Sequence, residues 1–180
     1  MRLFVGVPLA AAVINELSAI SLRLQSDGDG LRWSAPESWH ITLQFLGNAD
    51  WEQCECTLSR LREVRLPPVQ IALDGLGFFD RAGVFFAGVT VTPELLLLQE
   101  RVKSATEPCG FVPEARPYQP HITLARSNGH WQGLSKLKAG LGRQPSFSGF
   151  VAETFLLYES FLGPAGARHE VRERFLLDGR

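Results

Sequence analysis

The sequence predicts an α+β fold in which antiparallel sheets are flanked by helices. Segments that alternate apolar and polar residues, as strands do, are mixed along the chain with segments of helical periodicity. One pair of neighbouring strands is joined by a turn too short for the crossover helix of a parallel sheet. The 180 residues fit a single domain, residues 1–180, built as two half-sized lobes around a central cleft.

The first half of the chain alternates strand and helix and closes on a hairpin. Its expected elements are a strand over 2–8, a helix from Pro8 to about Gln25, a strand over 38–47, a helix to about Val64, and strands over 69–79 and 83–91. Apolar residues at helical spacing between Val13 and Leu24 define the buried face of the first helix. Asn48 or Asp50 caps the second helix, and Asp80–Gly83 form the hairpin turn.

The second half mixes the same elements. Its expected elements are a helix from Pro93 to about Thr106, a strand over 121–126, a weaker helix around 131–141, and closing strands near 147–159 and 168–177. The proline-rich segment over 108–120 is predicted to be an extended connector, because proline lacks the backbone N–H that regular structure requires.

The tetrapeptide His-Ile-Thr-Leu occurs twice, at residues 40–43 and 121–124, so the second copy begins 81 residues after the first. Each copy lies in a predicted strand, where residues two apart point to the same face. His and Thr therefore share one face, and Ile and Leu share the other. Burial in a core explains Ile and Leu, but packing gives no reason to repeat His and Thr.

Two such strands facing each other across a cleft would suit phosphodiester hydrolysis. Imidazole has an unperturbed pKa of about 6.5, so one copy can take a proton while the other gives one. Threonine hydroxyls can donate hydrogen bonds to the non-bridging phosphate oxygens as charge builds there. Neither histidine has the neighbouring carboxylate, imidazole or thiol spacing of a metal site, so the predicted mechanism requires no metal and no cofactor.

Composition and charge exclude several other classes of protein. A formal net charge of −1 argues against a broad basic face for duplex nucleic acid, although single arginines can still bind one phosphate. No apolar stretch reaches the roughly 18 residues of a membrane span, and the N-terminus lacks the features of a signal peptide. We therefore expect a cytoplasmic monomer with no membrane partner. Cys54, Cys56 and Cys109 are predicted to be reduced structural thiols, because three cysteines cannot all pair internally.

The chain resembles the two-histidine (2H) phosphoesterase superfamily, which is defined by two H-x-[ST]-x motifs about half a chain apart. Within it, the closer resemblance is to the bacterial and archaeal RNA 2′,3′-cyclic phosphodiesterases, historically called 2′-5′ RNA ligases. The segments that carry the resemblance are 2–7, 31–33, 40–47, 116–126 and 158–160.

The resemblance implies a bilobal fold with pseudo-twofold symmetry and one motif strand in each lobe. It also implies metal-independent hydrolysis of RNA 2′,3′-cyclic phosphate ends to 2′-phosphomonoesters, together with weak reverse ligation through a 2′-5′ linkage. By motif position, His40 would be the proton donor to the departing 3′ oxygen and His121 the base that activates water. Thr42 and Thr123 would hold the phosphate oxygens.

Two further functional hypotheses stay open. The enzyme could act on 2′-5′ oligonucleotides or small cyclic phosphates, or the cleft could bind nucleotides without turnover. Because the two motifs are nearly identical, the residues themselves do not decide which histidine is the acid; that assignment rests on the resemblance.

Arg126, Phe45 and Trp33 have two interpretations each. Strict alternation directs Arg126 away from the phosphate, but the resemblance places an arginine here, and a β-bulge would turn it back. Arg126 is therefore either a phosphate ligand or a strand-end charge. Phe45 is predicted to pack in the core with Ile41 and Leu43, and its second interpretation is stacking on a nucleobase. For Trp33 the same two interpretations are undecided.

Four other residues are weaker candidates. Arg116 and Tyr118 either line the mouth of the cleft or anchor the connector. His130 is expected at the surface or at a helix start. His169 stands where the resembling proteins often have tyrosine, and it is expected to be structural or at the rim of the cleft.

Overall fold

The order of elements along the chain follows the predicted order closely. The computed structural model describes residues 1–112, 114–127, 131–163 and 166–179. The elements are β1 (Arg2–Pro8), α1 (Ala11–Leu24), β2 (Leu31–Trp33), β3 (His40–Asn48), α2 (Trp51–Leu61), β4 (Val69–Ile71), β5 (Leu73–Phe79), β6 (Val84–Val89), α3 (Pro93–Thr106), β7 (His121–Ser127), α4 (Trp131–Gly140), β8 (Phe150–Ala152), β9 (Thr154–Gly163) and β10 (Gly166–Leu176). The short strand β2 is the one element among them that the sequence pattern did not predict.

Helix boundaries follow from local capping chemistry. Asp50 begins α2 through a capping box, in which its carboxylate accepts a hydrogen bond from the Gln53 backbone N–H at 2.8 Å and the Gln53 side chain accepts from the Asp50 N–H at 3.2 Å. Asp50, and not Asn48, is therefore the cap. Thr92 caps α3 through its hydroxyl oxygen, which accepts from the Leu95 backbone N–H at 3.2 Å, and Pro93 is in the first helical position.

The strands form two four-stranded antiparallel sheets, ordered β10-β9-β1-β3 and β2-β7-β6-β5, and a two-stranded pair, β4-β8. Each half of the chain runs strand, helix, motif strand, helix, and its closing strand then crosses to the other sheet. Thus β5 pairs with β6, and β9 pairs with β1. The α+β prediction with antiparallel sheets is confirmed, and each four-stranded sheet contains two strands from the other half, β9 and β10 in one and β2 and β5 in the other.

A β-bulge follows the threonine in each motif strand. In β3, Thr42 pairs with Gly6 and Gln44 pairs with Val5, so that Leu43 is the extra residue. In β7, Thr123 pairs with Phe86 and Ala125 pairs with Phe85, which makes Leu124 the extra residue. A bulge shifts the alternation of the residues that follow it. Side chains beyond each bulge therefore face the opposite way from the one that strict alternation predicts.

The backs of both motif strands are in the core, as predicted. The isoleucine and leucine of both motifs are buried, and they belong to one hydrophobic cluster with the apolar face of α1 and the inner faces of α2 and α3. Burial of four such side chains anchors the two strands. Within the described residues, no helix is long and apolar enough to cross a membrane.

The prediction of three reduced cysteines was wrong for two of them. Cys56 on α2 and Cys109, in the turn after α3, form a disulfide, while Cys54 is a buried free thiol. The two Cα atoms are 5.7 Å apart although 53 residues separate them in sequence. Their proximity results from the packing of α2 beside the end of α3, which cysteine spacing alone does not reveal.

Removing the Cys56–Cys109 bond should lower the free energy of unfolding by about 4 kcal/mol, because the bond closes a long loop in the unfolded chain. Urea denaturation with and without dithiothreitol measures this difference. The double variant Cys56→Ser/Cys109→Ser is the control, since its stability should not respond to the reductant. Equal midpoints for the wild-type protein in both conditions would contradict the bond.

Candidate active site

The motif strands β3 and β7 lie beside each other and present their polar faces to one cleft. We call this site the motif cleft, and its residues are His40, Thr42, Phe45, His121, Thr123 and Arg126. The side chains of both histidines and both threonines are half-buried. The structure therefore places the histidine and threonine of each predicted motif on the open face of its strand.

Each histidine is held by the same backbone contact. His40 Nδ1 is 2.8 Å from the Ser38 carbonyl oxygen, and His121 Nδ1 is 2.8 Å from the Gln119 carbonyl oxygen. Because a carbonyl oxygen only accepts, Nδ1 must carry the hydrogen in both rings. In the neutral imidazoles Nε2 is therefore unprotonated and carries a lone pair. This nitrogen can take a proton or, once protonated, give one.

Thr42 completes the contacts of His40. The Thr42 hydroxyl donates to His40 Nε2 at 3.1 Å in the neutral tautomer. Gly6, which pairs with Thr42 from β1, leaves room for the imidazole, since a Cβ there would lie 2.9 Å from the Ile41 carbonyl oxygen and 3.4 Å from His40 Cδ2. A side chain at position 6 would thus disturb the register of β3 and the ring of His40.

Burial keeps both histidines neutral in the ligand-free protein. It lowers the pKa of His40 to about 4, against a smaller upward effect of the Ser38 hydrogen bond, and nearby positive charge on His169, His121 and Arg126 lowers the pKa further. The pKa of His121 is also lowered by burial, and the charge of Arg126 adds to this effect. An anion in the cleft would reverse these charge effects, because it stabilises the imidazolium forms.

Arg126 faces the cleft because of the bulge in β7. The buried Leu124 and Ala125 follow one another, so Arg126 lies on the same face as Thr123. Burial lowers the pKa of Arg126, and the charge of Arg32 lowers it further. The position supports the interpretation of Arg126 as a phosphate ligand, although contact with a phosphate stays a prediction.

Arg32 is a residue that the sequence patterns did not single out. It lies on β2 directly opposite Arg126 in the sheet register. Like charges in directly opposed positions are destabilising unless an anion lies between them. The only sequence signal was its place in the segment 31–33, because β2 itself was not predicted.

The prediction that Phe45 packs in the core was wrong. Its side chain is 52% exposed, because the bulge at Leu43 moves it to the face of His40 and Thr42. One side of the ring is stacked on Phe4, with centroids 6.2 Å apart, and Arg2 lies 5.0 Å from its centroid. An exposed aromatic ring beside the cleft is suited to stacking on a base.

Trp33 is structural. Its Nε1 donates to the Asp29 carboxylate at 2.8 Å, and its ring packs edge-on against the buried Phe85 at 5.9 Å. Trp33 thus ties the loop before β2 to the sheet that carries β7.

Rings from neighbouring strands surround each histidine. His40 packs against Phe4 at 4.5 Å, and His121 packs edge-on against Phe79 at 4.9 Å. His169, on β10, lies edge-on to His40 with ring centroids 5.2 Å apart, and its buried Nδ1 has no hydrogen-bond partner among the described residues. His169 therefore touches the imidazole of His40 directly, which is closer than a rim position suggests.

The connector before β7 both anchors itself and lines the cleft mouth. The Tyr118 hydroxyl donates to the Thr42 carbonyl oxygen at 3.0 Å, so this residue fulfils both of its alternative roles. Arg116 is exposed at the mouth and forms an ion pair with Glu114 at 2.8 Å. His130 lies outside the described residues.

A cavity of about 680 Å³ opens from the motif cleft at Thr42, Phe45 and His121. It extends towards α3, with the connector and the turn after β5 on its other sides. Its volume is in the range of small-ligand sites in proteins. No group of three or more metal-ligating side chains occurs among the residues that the structure describes.

The sequence profile of the 2′-5′ RNA ligase superfamily matches residues 8–159, which include both motif strands. The chain belongs to this superfamily. The RNA 2′,3′-cyclic phosphodiesterase of Thermotoga maritima is 30% identical over 176 residues, covering 95% of this chain and 92% of that protein. The Bacillus subtilis protein of the same name is 29% identical over 178 residues, covering 93% and 92%.

Solved structures of similar proteins have the same fold. Apo LigT of E. coli superposes with a TM-score of 0.83 at 25% identity, covering 98% of this chain and 97% of LigT. TT0787 of Thermus thermophilus superposes with a TM-score of 0.81 at 30% identity, covering 99% of each chain. A LigT structure in complex with 3′-AMP superposes with a TM-score of 0.82. The expected 2H phosphoesterase fold is thereby confirmed.

In the ligand-free protein, His40 should titrate with a pKa of about 4 and His121 with a pKa below 6.5. Added inorganic phosphate should raise both values, because the anion stabilises the imidazolium forms. Long-range ¹H–¹⁵N spectra of the imidazoles between pH 3.5 and 8 measure these values, and at pH 7 they should show the Nδ1–H tautomer for both rings. A His40 pKa near 6.5 without ligand would contradict the buried environment.

Proposed function

We propose that this protein hydrolyses 2′,3′-cyclic phosphate ends of RNA to 2′-phosphomonoesters by metal-independent acid/base catalysis. The main support is the geometry of the two motif histidines. Each is fixed through Nδ1 to a backbone carbonyl oxygen, has Nε2 available for proton transfer, and lies beside a threonine on the same strand face. The names of the relatives in Thermotoga maritima and Bacillus subtilis support the same reaction.

In this reaction the phosphate lies between the two imidazoles. Thr42, Thr123 and Arg126 bind its non-bridging oxygens and stabilise the charge that builds there. His121 Nε2 takes a proton from water, and the water oxygen attacks phosphorus. His40 Nε2–H gives its proton to the 3′ oxygen as the P–O3′ bond breaks. The products are a 3′ hydroxyl and a 2′-phosphate, and solvent exchange returns both histidines to their starting states.

The environment of His40 suits the donor role that the resemblance assigns to it. A histidine whose pKa is about 4 is a strong acid once it is protonated. The anionic substrate supplies the charge that favours this protonation. When the phosphate arrives, the Thr42 hydroxyl can turn from His40 Nε2 to a phosphate oxygen, which frees Nε2–H for the leaving group.

The remaining parts of the proposal concern the whole chain. Residues 1–180 act as one bilobal domain with one motif in each lobe, because each sheet needs a strand from the other half. The monomeric state and the cytoplasmic location stay predictions.

A short RNA that ends in a 2′,3′-cyclic phosphate should give only the 2′-phosphate product, with EDTA present throughout. His40→Gln and His121→Gln should each lower kcat by about 10²- to 10⁴-fold, since each removes one proton-transfer group. Chromatography of the products against 2′- and 3′-phosphate standards measures both effects.

The controls separate catalysis from folding and binding. Both variants should keep the wild-type unfolding midpoint and bind 3′-AMP with similar affinity. Unchanged turnover in both single variants would rule out the mechanism. If the wild-type protein binds 3′-AMP but does not hydrolyse the RNA, the hypothesis that the cleft binds nucleotides without turnover is favoured. Faster turnover of 2′-5′ oligonucleotides or small cyclic phosphates would change the assigned substrate but not the proposed acid/base mechanism.

The pH dependence of kcat/KM should be bell-shaped with its optimum below pH 6.5. The rate should fall at low pH as His121 becomes protonated, and it should fall at higher pH as His40 loses its proton, because both pKa values are lowered in the free protein. The basic limb of kcat should lie at higher pH than that of kcat/KM, since bound phosphate raises the pKa of His40. Initial rates between pH 4 and 8.5 measure both profiles, and a flat kcat/KM would contradict the paired-histidine mechanism.

A further inference from the structure

The cavity of about 680 Å³ overlaps the motif cleft only in part. Of the six motif-cleft residues, it is lined by Thr42, Phe45 and His121 and not by His40, Thr123 or Arg126. It therefore extends from one side of the phosphate position and does not enclose it. A ligand that fills it must reach beyond the phosphate that lies between the histidines.

The cavity carries excess positive charge. Its two acidic residues are both neutralised, since Asp80 pairs with Lys138 at 3.1 Å and Glu114 pairs with Arg116 at 2.8 Å. Arg81 and Lys103 also line it, and neither forms an ion pair within the described part of the chain. Two unneutralised cations in one cavity favour a ligand that carries negative charge.

The wall formed by β3 and α3 adds buried amides. Gln44 and Gln99 line the cavity and are only 7% and 8% exposed. The Gln44 side-chain oxygen accepts from the Thr106 hydroxyl at 2.7 Å, whereas its Nε2 has no hydrogen-bond partner among the described residues. This nitrogen is itself shielded from solvent, so Gln44 contributes the shape of the wall and the charged side chains contribute its contacts with a ligand.

Two aromatic rings also line the cavity. They are the exposed ring of Phe45 and the half-buried ring of Phe79, which packs edge-on against His121. Aromatic faces beside cationic groups match the two parts of a nucleotide, its base and its phosphate.

We propose that this cavity binds the nucleotide on the 5′ side of the cyclic phosphate. Lys103 binds the phosphodiester that joins it to the terminal nucleotide, and the base packs against Phe45 or Phe79. The lysine ammonium group is a charged hydrogen-bond donor, which matches the acceptor-only oxygens of a phosphodiester. The inference rests on the proposed function and extends it, because the enzyme would then prefer RNA ends of two or more nucleotides to a mononucleotide.

The test compares adenylyl-adenosine 2′,3′-cyclic phosphate with adenosine 2′,3′-cyclic phosphate as substrates. In the wild-type protein, kcat/KM should be about tenfold or more higher for the dinucleotide, mainly through KM. Lys103→Gln should reduce this preference about tenfold, and Arg81→Gln should reduce it by a smaller factor. Lys136→Gln is the matched control, because Lys136 is an exposed lysine on α4 that does not line the cavity.

Two outcomes would overturn the inference: equal kcat/KM values for the two substrates in the wild-type protein, and a wild-type preference that survives Lys103→Gln. An equal loss on both substrates would also overturn it, since the cavity would then hold the terminal nucleotide. If neither substrate is hydrolysed, the proposed function fails. Calorimetry with the non-cyclic adenylyl-adenosine 2′-phosphate still tests the inference in that case, because Lys103→Gln should weaken its binding about tenfold and leave that of 2′-AMP unchanged.

Discussion

The β-bulge after each motif threonine is the constraint on which the geometry of the site depends. A regular strand would expose the histidine and the threonine and would bury the side chain three residues after the threonine, which is Phe45 in β3 and Arg126 in β7. The extra residue in β3 and in β7 instead buries two successive side chains and turns Phe45 and Arg126 to the cleft. Equivalent backbone geometry thus supplies an aromatic group from one motif strand and a cation from the other.

The protonation state of the motif cleft is determined by its burial and its excess of positive charge. Burial is the main cause of the lowered pKa values of both imidazoles, the charge of Arg126 lowers both further, and His121 adds to the effect on His40. Arg32, directly opposite Arg126, increases the positive charge further. The ligand-free site therefore favours neutral histidines and an incoming anion. A bound phosphate raises the pKa values of the two histidines that act on it, so substrate binding itself favours the protonated acid that the reaction requires.

The exchange of closing strands explains how two halves hold one cleft. Because β5 completes the sheet of β7 and β9 completes the sheet of β3, the two halves of the chain cannot separate without breaking strand pairing. The hydrogen bond from Tyr118 to the Thr42 backbone adds a direct link between the halves, as does the Cys56–Cys109 disulfide. Proton transfer at hydrogen-bond distance requires this rigidity, since small displacements of catalytic groups are costly.

The sequence by itself determined the order of strands and helices, the α+β fold and the paired His-x-Thr chemistry, because periodicity, capping residues and a repeated motif are local signals. The tertiary structure decided the orientation of Phe45, the disulfide, the contact of His169 with His40, and the cationic cavity at Lys103. Each of these depends on a bulge or on the packing of segments distant in sequence. Strict alternation fails at a bulge because one inserted residue reverses every later side chain, and no local pattern reports which distant helix a cysteine or lysine will face.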